Sequence, residues 1–310
     1  MTHASYLKSA PDHAVSSGRA IDHLVFPVAD IGAARSRYEQ LGFTVAPDGK
    51  HPFGTENCCV FFADGTFLEP LGIAHRETCE AKAMKGHTFV RNDQAYRFRR
   101  GLEGFSHVVI KTDDAAADHK AFKKAGISGG NRVRFSRGFK TPSGEKGRVS
   151  FLLSFAADPR APDAGFFSCE VVSPPTVDRS ALQRHDNGVV GLRSIFGCEP
   201  NPTDFQYFFQ EFLDQRLVDA DSFSMALQTP GCEVALYTPE GLRAYFGLDG
   251  ETTERGVRLR GCVLGVTRLA ETRALFESNG VAFREHRGLL IVEPDVEGQG
   301  AVLAFEEVSA

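Results

Sequence analysis

Two histidines and two glutamates stand in repeated places along this chain. The segment AIDHLVFPVADIGAARSRYEQLGFTV carries His23 and returns as GFSHVVIKTDDAAADHKAFKKAGISG, which carries His107, and a glycine follows each histidine by 19 residues, at Gly42 and Gly126. Each copy closes on a strand-like run holding a carboxylate, Glu69 in TFLEPLG and Glu170 in GFFSCEVVS. A lone carboxylate in so apolar a setting would cost several kcal/mol unless a cation or donor answered it. Two neutral imidazoles and two carboxylates suit one divalent metal ion (Zn, Ni, Co, Mn or Fe(II)), with positions open for water or substrate. His23, Glu69, His107 and Glu170 are therefore the expected metal ligands.

The elements that must position them follow from the same repeat. IDHLVFPV alternates as a strand, and Asp30 caps a helix that Gly42 stops, with Ile31, Ala34, Tyr38 and Leu41 on its apolar face. Three further strands complete the unit. SHVVIKT opens a second unit, VVGLRSIFGC a third and RGCVLGV a fourth, in which Gly280 lies 19 residues past Gly261. One such unit exposes an apolar concave face that a second must cover. The expected fold is α+β: four βαβββ repeats pairing into two cup-shaped eight-stranded sheets. The expected division is an N-terminal extension over 1–19, a domain with the metal site over 20–180, and a domain without it over 187–308. In the last two units the histidine places fall to Leu192 or its neighbour and to Gly261, so the second pair keeps the fold without the ligands.

Bulk composition narrows the partners. A net charge of −5 gives no reason to expect nucleic acid, and no apolar run is long enough to span a bilayer. The start lacks a secretion signal, so a cytoplasmic protein is expected. The seven cysteines include no CxxC pair and read as reduced, buried thiols. The expected partner is a small-molecule substrate, with no membrane, and the protein a monomer or homodimer.

DHLVFPVAD, LGFTV, HPFGTEN followed by DGTFLEPLGIA, then RRGLEG and RHDNG together resemble the vicinal oxygen chelate superfamily and its glyoxalase-like group. The resemblance implies ligands on the first and last strands of two paired units, again His23, Glu69, His107 and Glu170. It implies proton transfer, of isomerase or lyase type, on a substrate chelated through adjacent oxygens, with Glu170 as base and Glu69 remaining a ligand or sharing that role. The ring-cleaving dioxygenases of the superfamily supply an alternative, Fe(II) on His23, His107 and Glu170, and its resistance proteins another, a cup that binds a small molecule without metal. Asn57, His51 and Arg148 are expected at the substrate. Arg148 lies in the basic, Gly-rich stretch RVRFSRGFKTPSGEKGR, which also holds Arg137 and could recognise a substrate carboxylate or phosphate. A second arginine cluster, Arg91, Arg97, Arg99 and Arg100, and the turn residue His185 carry weaker expectations of the same kind. His286 is given no role.

Overall fold

The computed structural model describes residues 18–140, 144, 146–172, 178–249, 254–294 and 297–308. The N-terminal half runs β1 (Ile21–Pro27), α1 (Ile31–Gln40), β2 (Gly49–Lys50), β3 (Thr55–Asn57), β4 (Val60–Phe61), β5 (Phe67–Ile73), α2 (Arg76–Met84), α3 (Thr88–Arg100), β6 (His107–Thr112), α4 (Ala115–Lys124), β7 (Val133–Lys140), β8 (Lys146–Ala156) and β9 (Gly165–Val171). The C-terminal half runs β10 (Val189–Cys198), α5 (Gln206–Leu213), β11 (Asp219–Ala220), β12 (Ser224–Thr229), β13 (Cys232–Tyr237), α6 (Pro239–Phe246), β14 (Arg258–Val266), α7 (Leu269–Ser278), β15 (Arg284–His286), β16 (Leu289–Val292) and β17 (Val302–Glu307).

Each half forms one mixed sheet, as the four repeats require. The first has the order β2-β3-β5-β1-β6-β9-β8-β7, with β4 paired to β5, and the second the order β11-β12-β13-β10-β14-β17-β16-β15. At the centre of the first sheet, β1 and β6 run antiparallel with His23 opposite Val109 and Val25 opposite His107. That register is a local two-fold axis relating the histidines. In the second sheet Ser194 opposite Val263 and Phe196 opposite Gly261 repeat it, so the counterpart of His23 is Ser194, two residues beyond the expected Leu192. Register shifts interrupt the central pair of each sheet, between Ile21 and His23 in the first and between Leu192 and Ser194 in the second, so counting along the sequence does not give the counterpart.

Caps set the helix lengths. The Asp30 carboxylate accepts from the Ala33 N–H at 2.8 Å and Asp114 accepts from Ala116 and Ala117, each at the start of its helix. Gly42, Gly126 and Gly280, the recurring glycines of the repeat, end α1, α4 and α7 at φ of 82°, 73° and 64°, a left-handed conformation that costs glycine nothing. These helices and α5 lie between the two sheets: Tyr38, Phe122, Phe208 and Phe276 join strand residues of both halves in one continuous core. The concave faces turn outward and hold separate apolar clusters.

The edges of the first sheet curl until β2 and β7 meet, which makes its cup nearly closed. One end is stopped by α3, whose Phe89 and Val90 pack on Val25, Val109 and Phe167. Two arginines of α3 are consumed in the fold: Arg97 pairs with Asp93 at 2.9 Å and donates to the Leu71 and Val28 carbonyls, and Arg99 pairs with Asp163 at 2.5 Å. Among the described residues no helix is long and apolar enough to cross a membrane, and all seven cysteines are buried thiols.

Candidate functional site

The first cup holds a cavity of about 730 Å³, within the range of small-molecule sites. Nine phenylalanines line it, among them Phe53, Phe67, Phe135, Phe151 and Phe167. Its buried polar residues gather on one wall. β1 contributes His23, β3 contributes Asn57, β5 contributes Glu69, and the turn between β2 and β3 contributes His51.

Glu69 is the hub of this wall. Its Oε2 lies 3.3 Å from His23 Nε2, and its Oε1 accepts from the Asn57 amide at 2.5 Å and lies 3.9 Å from His51 Nε2. The two imidazoles thus flank opposite oxygens of one carboxylate. Behind His23, the Asp22 carboxylate accepts from Nδ1 at 2.6 Å, and the ring stacks on Phe67 at 4.3 Å. His51 Nδ1 meets the Thr55 hydroxyl at 2.8 Å, and its ring stacks on Phe53 at 4.9 Å. With the Asn57 amide as donor on the other side, at 3.5 Å, His51 carries its proton on Nδ1 and presents Nε2 as an acceptor.

Burial and charge drive the two rings in opposite directions. For His23, burial opposes the charged form, but Asp22 and Glu69 outweigh it and raise the pKa to about 9. Burial would likewise raise Glu69, but its bond to His23 prevails and holds it at about 2. For His51 burial prevails over the nearby Glu69 charge and, with Arg137 and His23 adding to it, lowers the pKa to about 4. Near neutral pH the wall therefore holds a charged imidazole, a carboxylate and a neutral imidazole in series.

The four expected metal ligands do not assemble. Glu170 lies on the other face of β9, where its Oε2 accepts from the Ala115 N–H at 2.9 Å and caps α4. The reason is register: β1 sets His23 opposite Phe67 and Val25 opposite Glu69, whereas β6 sets His107 opposite Gly165 and Val109 opposite Phe167. The pseudo-symmetric mate of Glu69 is therefore Phe167. His107 occupies the place related to His23, but it is 1% exposed beneath Phe89 and Phe167 and does not line the cavity. Its Nδ1 meets the Ser106 hydroxyl at 2.8 Å and its buried Nε2 has no partner. Among the described residues no three His, Cys, Asp or Glu side chains are grouped so as to hold a metal ion. The quartet does not fit such an ion, and the dioxygenase set of His23, His107 and Glu170 is not brought together either.

Of the residues expected at the substrate, His51 and Asn57 are in the wall. Arg148 is not: it is exposed on the outer face of β8, just before Val149 and Phe151, which line the cavity from the inner one. From the same basic stretch it is Arg137 that enters the cavity. His185 is structural, its ring bound to the Thr44 N–H and the Phe61 carbonyl. Asp22 escaped the sequence reading because strand alternation sends it away from the cup; the bulge between Ile21 and His23 returns it. The adjacent Asp-His pair was the available signal.

A family model for the Glyoxalase-like domain matches residues 21–213, more than half of the chain. No curated protein sequence matches it. Among solved structures, a hypothetical protein from Staphylococcus aureus is similar with a TM-score of 0.66 at 12% identity, over 93% of this chain and 99% of that one. A mutant 4-hydroxymandelate synthase from Streptomyces coelicolor gives 0.60 at 10% identity over 94% and 93%. A Mn(II)-bound glyoxalase from Novosphingobium aromaticivorans gives 0.52 at 13% identity over 94% and 83%. At such identities the likeness is one of fold, and it agrees with the paired cups. Repeat, sheet order and family match converge: the chain belongs to the glyoxalase-like domain family of the vicinal oxygen chelate superfamily.

Proposed function

We propose that the N-terminal cup is the active site of an enzyme that moves a proton on a small organic substrate with adjacent oxygens, an isomerase or lyase reaction. The observation that carries this reading is the pair of imidazoles on opposite oxygens of Glu69, with pKa values pushed to either side of neutrality. Groups separated in this way supply a base and an acid at one pH. Neutral His51 takes the proton from substrate carbon on Nε2, and the imidazolium so formed faces Glu69 Oε1. As Glu69 turns its charge toward His51, the Nε2–H of His23 is released to the substrate oxygen on which negative charge develops. Asp22 keeps His23 oriented and protonated. The phenylalanine walls exclude water and strengthen each of these interactions.

A divalent ion held in part by His23 and Glu69 is the second reading. One observation favours it: Asp22 braces Nδ1 of His23 as outer carboxylates brace metal-bound imidazoles. The test is deuterium uptake from D2O into a panel of 2-hydroxy and 2-oxo carbonyl compounds, followed by NMR. The proposal expects uptake at the carbon beside the carbonyl that survives chelation and is lost in His51→Ala. Uptake abolished by chelation and restored by manganese, nickel, cobalt, zinc or iron would select the second reading. No uptake across the panel would overturn both and leave a binding protein.

A further inference from the structure

Beside the proton-moving wall, the cavity carries positive charge that the fold does not use. Arg137, on β7, reaches across the β2–β7 seam. A Cβ on Gly49 would overlap both its Nη1 and Asn57 Oδ1, so guanidinium and amide crowd the same glycine. Its buried Nε has no hydrogen-bond partner, and it forms no ion pair with a described residue. The guanidinium lies 5.8 Å from the Phe151 ring, which stacks with Phe135 at 5.0 Å. Arg179 lines the same cavity with its guanidinium 5.1 Å from the Phe61 ring. Among the described residues, three of the cavity's four acids are engaged elsewhere: Asp22 holds His23, Glu69 holds His23 and Asn57, and Asp178 accepts from the Ser180 N–H and hydroxyl, while the fourth, Asp113, is exposed and forms no ion pair with Arg137.

A guanidinium at an apolar wall without a carboxylate partner carries a desolvation cost that an anionic ligand relieves, and its planar fork matches a carboxylate. We infer that the substrate is a carboxylic acid with a flat apolar body, its carboxylate on Arg137 and its body against Phe135 and Phe151. This rests on the reading of the cup as a reaction site and names the class of molecule it takes. The anion on Arg137 sits beside Asn57, whose amide holds Glu69. A carbon one or two bonds from the carboxylate then falls near His51 Nε2, so the reacting position is α or β to the acid. Arg179, pressed against Phe61, guides anions toward the cup without fixing the reacting end.

The test measures binding of an inert probe, so it is independent of turnover. Phenylacetate and its neutral isostere phenylacetamide are titrated calorimetrically into the wild type and into Arg137→Met, Arg137→Lys, Arg179→Gln and His51→Ala. The expected result is that phenylacetate binds at least tenfold tighter than the amide, loses that advantage in Arg137→Met, recovers part of it in Arg137→Lys, and keeps it in Arg179→Gln and His51→Ala. Unchanged amide affinity in Arg137→Met reports an intact cup. Equal affinities of acid and amide in the wild type, or loss of acid binding in Arg179→Gln but not in Arg137→Met, would overturn the assignment. Failure of the deuterium-uptake test with this pattern intact would instead overturn the proposed reaction while leaving the acid site in place.

Discussion

The two cups are built from the same repeat and differ in what fills them. In the N-terminal cup the central strands present His23, Glu69, His107 and Phe167; at the same places in the C-terminal cup stand Ser194, Ala235, Gly261 and Ala304. The second cup is closed by α6, whose Leu242 and Phe246 join its apolar cluster, with Phe246 stacked on Phe196 at 4.1 Å. In the first cup α2 and α3 cover only one end, and a polar wall lies open to a cavity. The fold therefore tolerates either a packed or an open concavity. Polar groups clustered around Glu69 need ligand or water access, and an inserted apolar helix would strip them of it.

The largest break in this comparison is at His51. His51→Ala is expected to lower kcat by about 10²–10⁴, the span of a positioned acid–base group, read in steady-state turnover with global stability measured alongside. Next is the plug of the second cup: Phe246→Ala removes a buried ring and should cost about 3–5 kcal/mol in denaturant unfolding, while turnover at the first cup is retained. The pH dependence sharpens the contrast between the two imidazoles. His51 must be neutral, so kcat/KM should fall as pH drops through about 4, and His23 must be charged, so it should fall again as pH rises through about 9, about tenfold per unit on each limb. A profile lacking the alkaline limb removes His23 as the acid. The smallest effect is at Glu170, where Glu170→Gln should leave kcat unchanged and cost no more than about 1 kcal/mol through the weakened start of α4; a turnover defect there would return Glu170 to the chemistry.

The sequence makes the repeat legible because the Asp caps, the left-handed glycines and the alternation of β1 all follow local rules. His23, Glu69, His51 and Asn57 were legible for the same reason, each lying in a short, regular segment of the first unit. Glu170 was not. In Gly165–Val171 both Phe166 and Phe167 are buried, one in the central core and one in the cup, so the strand has no apolar alternation from which its faces could be read. Arg137 and Arg148 belong to one hairpin, and an odd-numbered separation between them places them on opposite faces, which composition alone cannot distinguish. The α6 plug was hidden because Leu242 and Phe246, one helical turn apart, lie between the last strand of the third unit and the first of the fourth, outside the repeated pattern.

The position of α5 ties the two halves together. It follows β10 in the C-terminal half, yet its Phe208, Phe209 and Phe212 rings pack on Phe166 of the first sheet at 4.8 to 5.5 Å, and Phe212 reaches Phe122 of α4; the family match runs to Leu213, its last residue. Neither half can melt without baring aromatic surface of the other. Calorimetry should thus record one cooperative endotherm, and a ligand seated in the first cup should raise the melting temperature of the second without touching it.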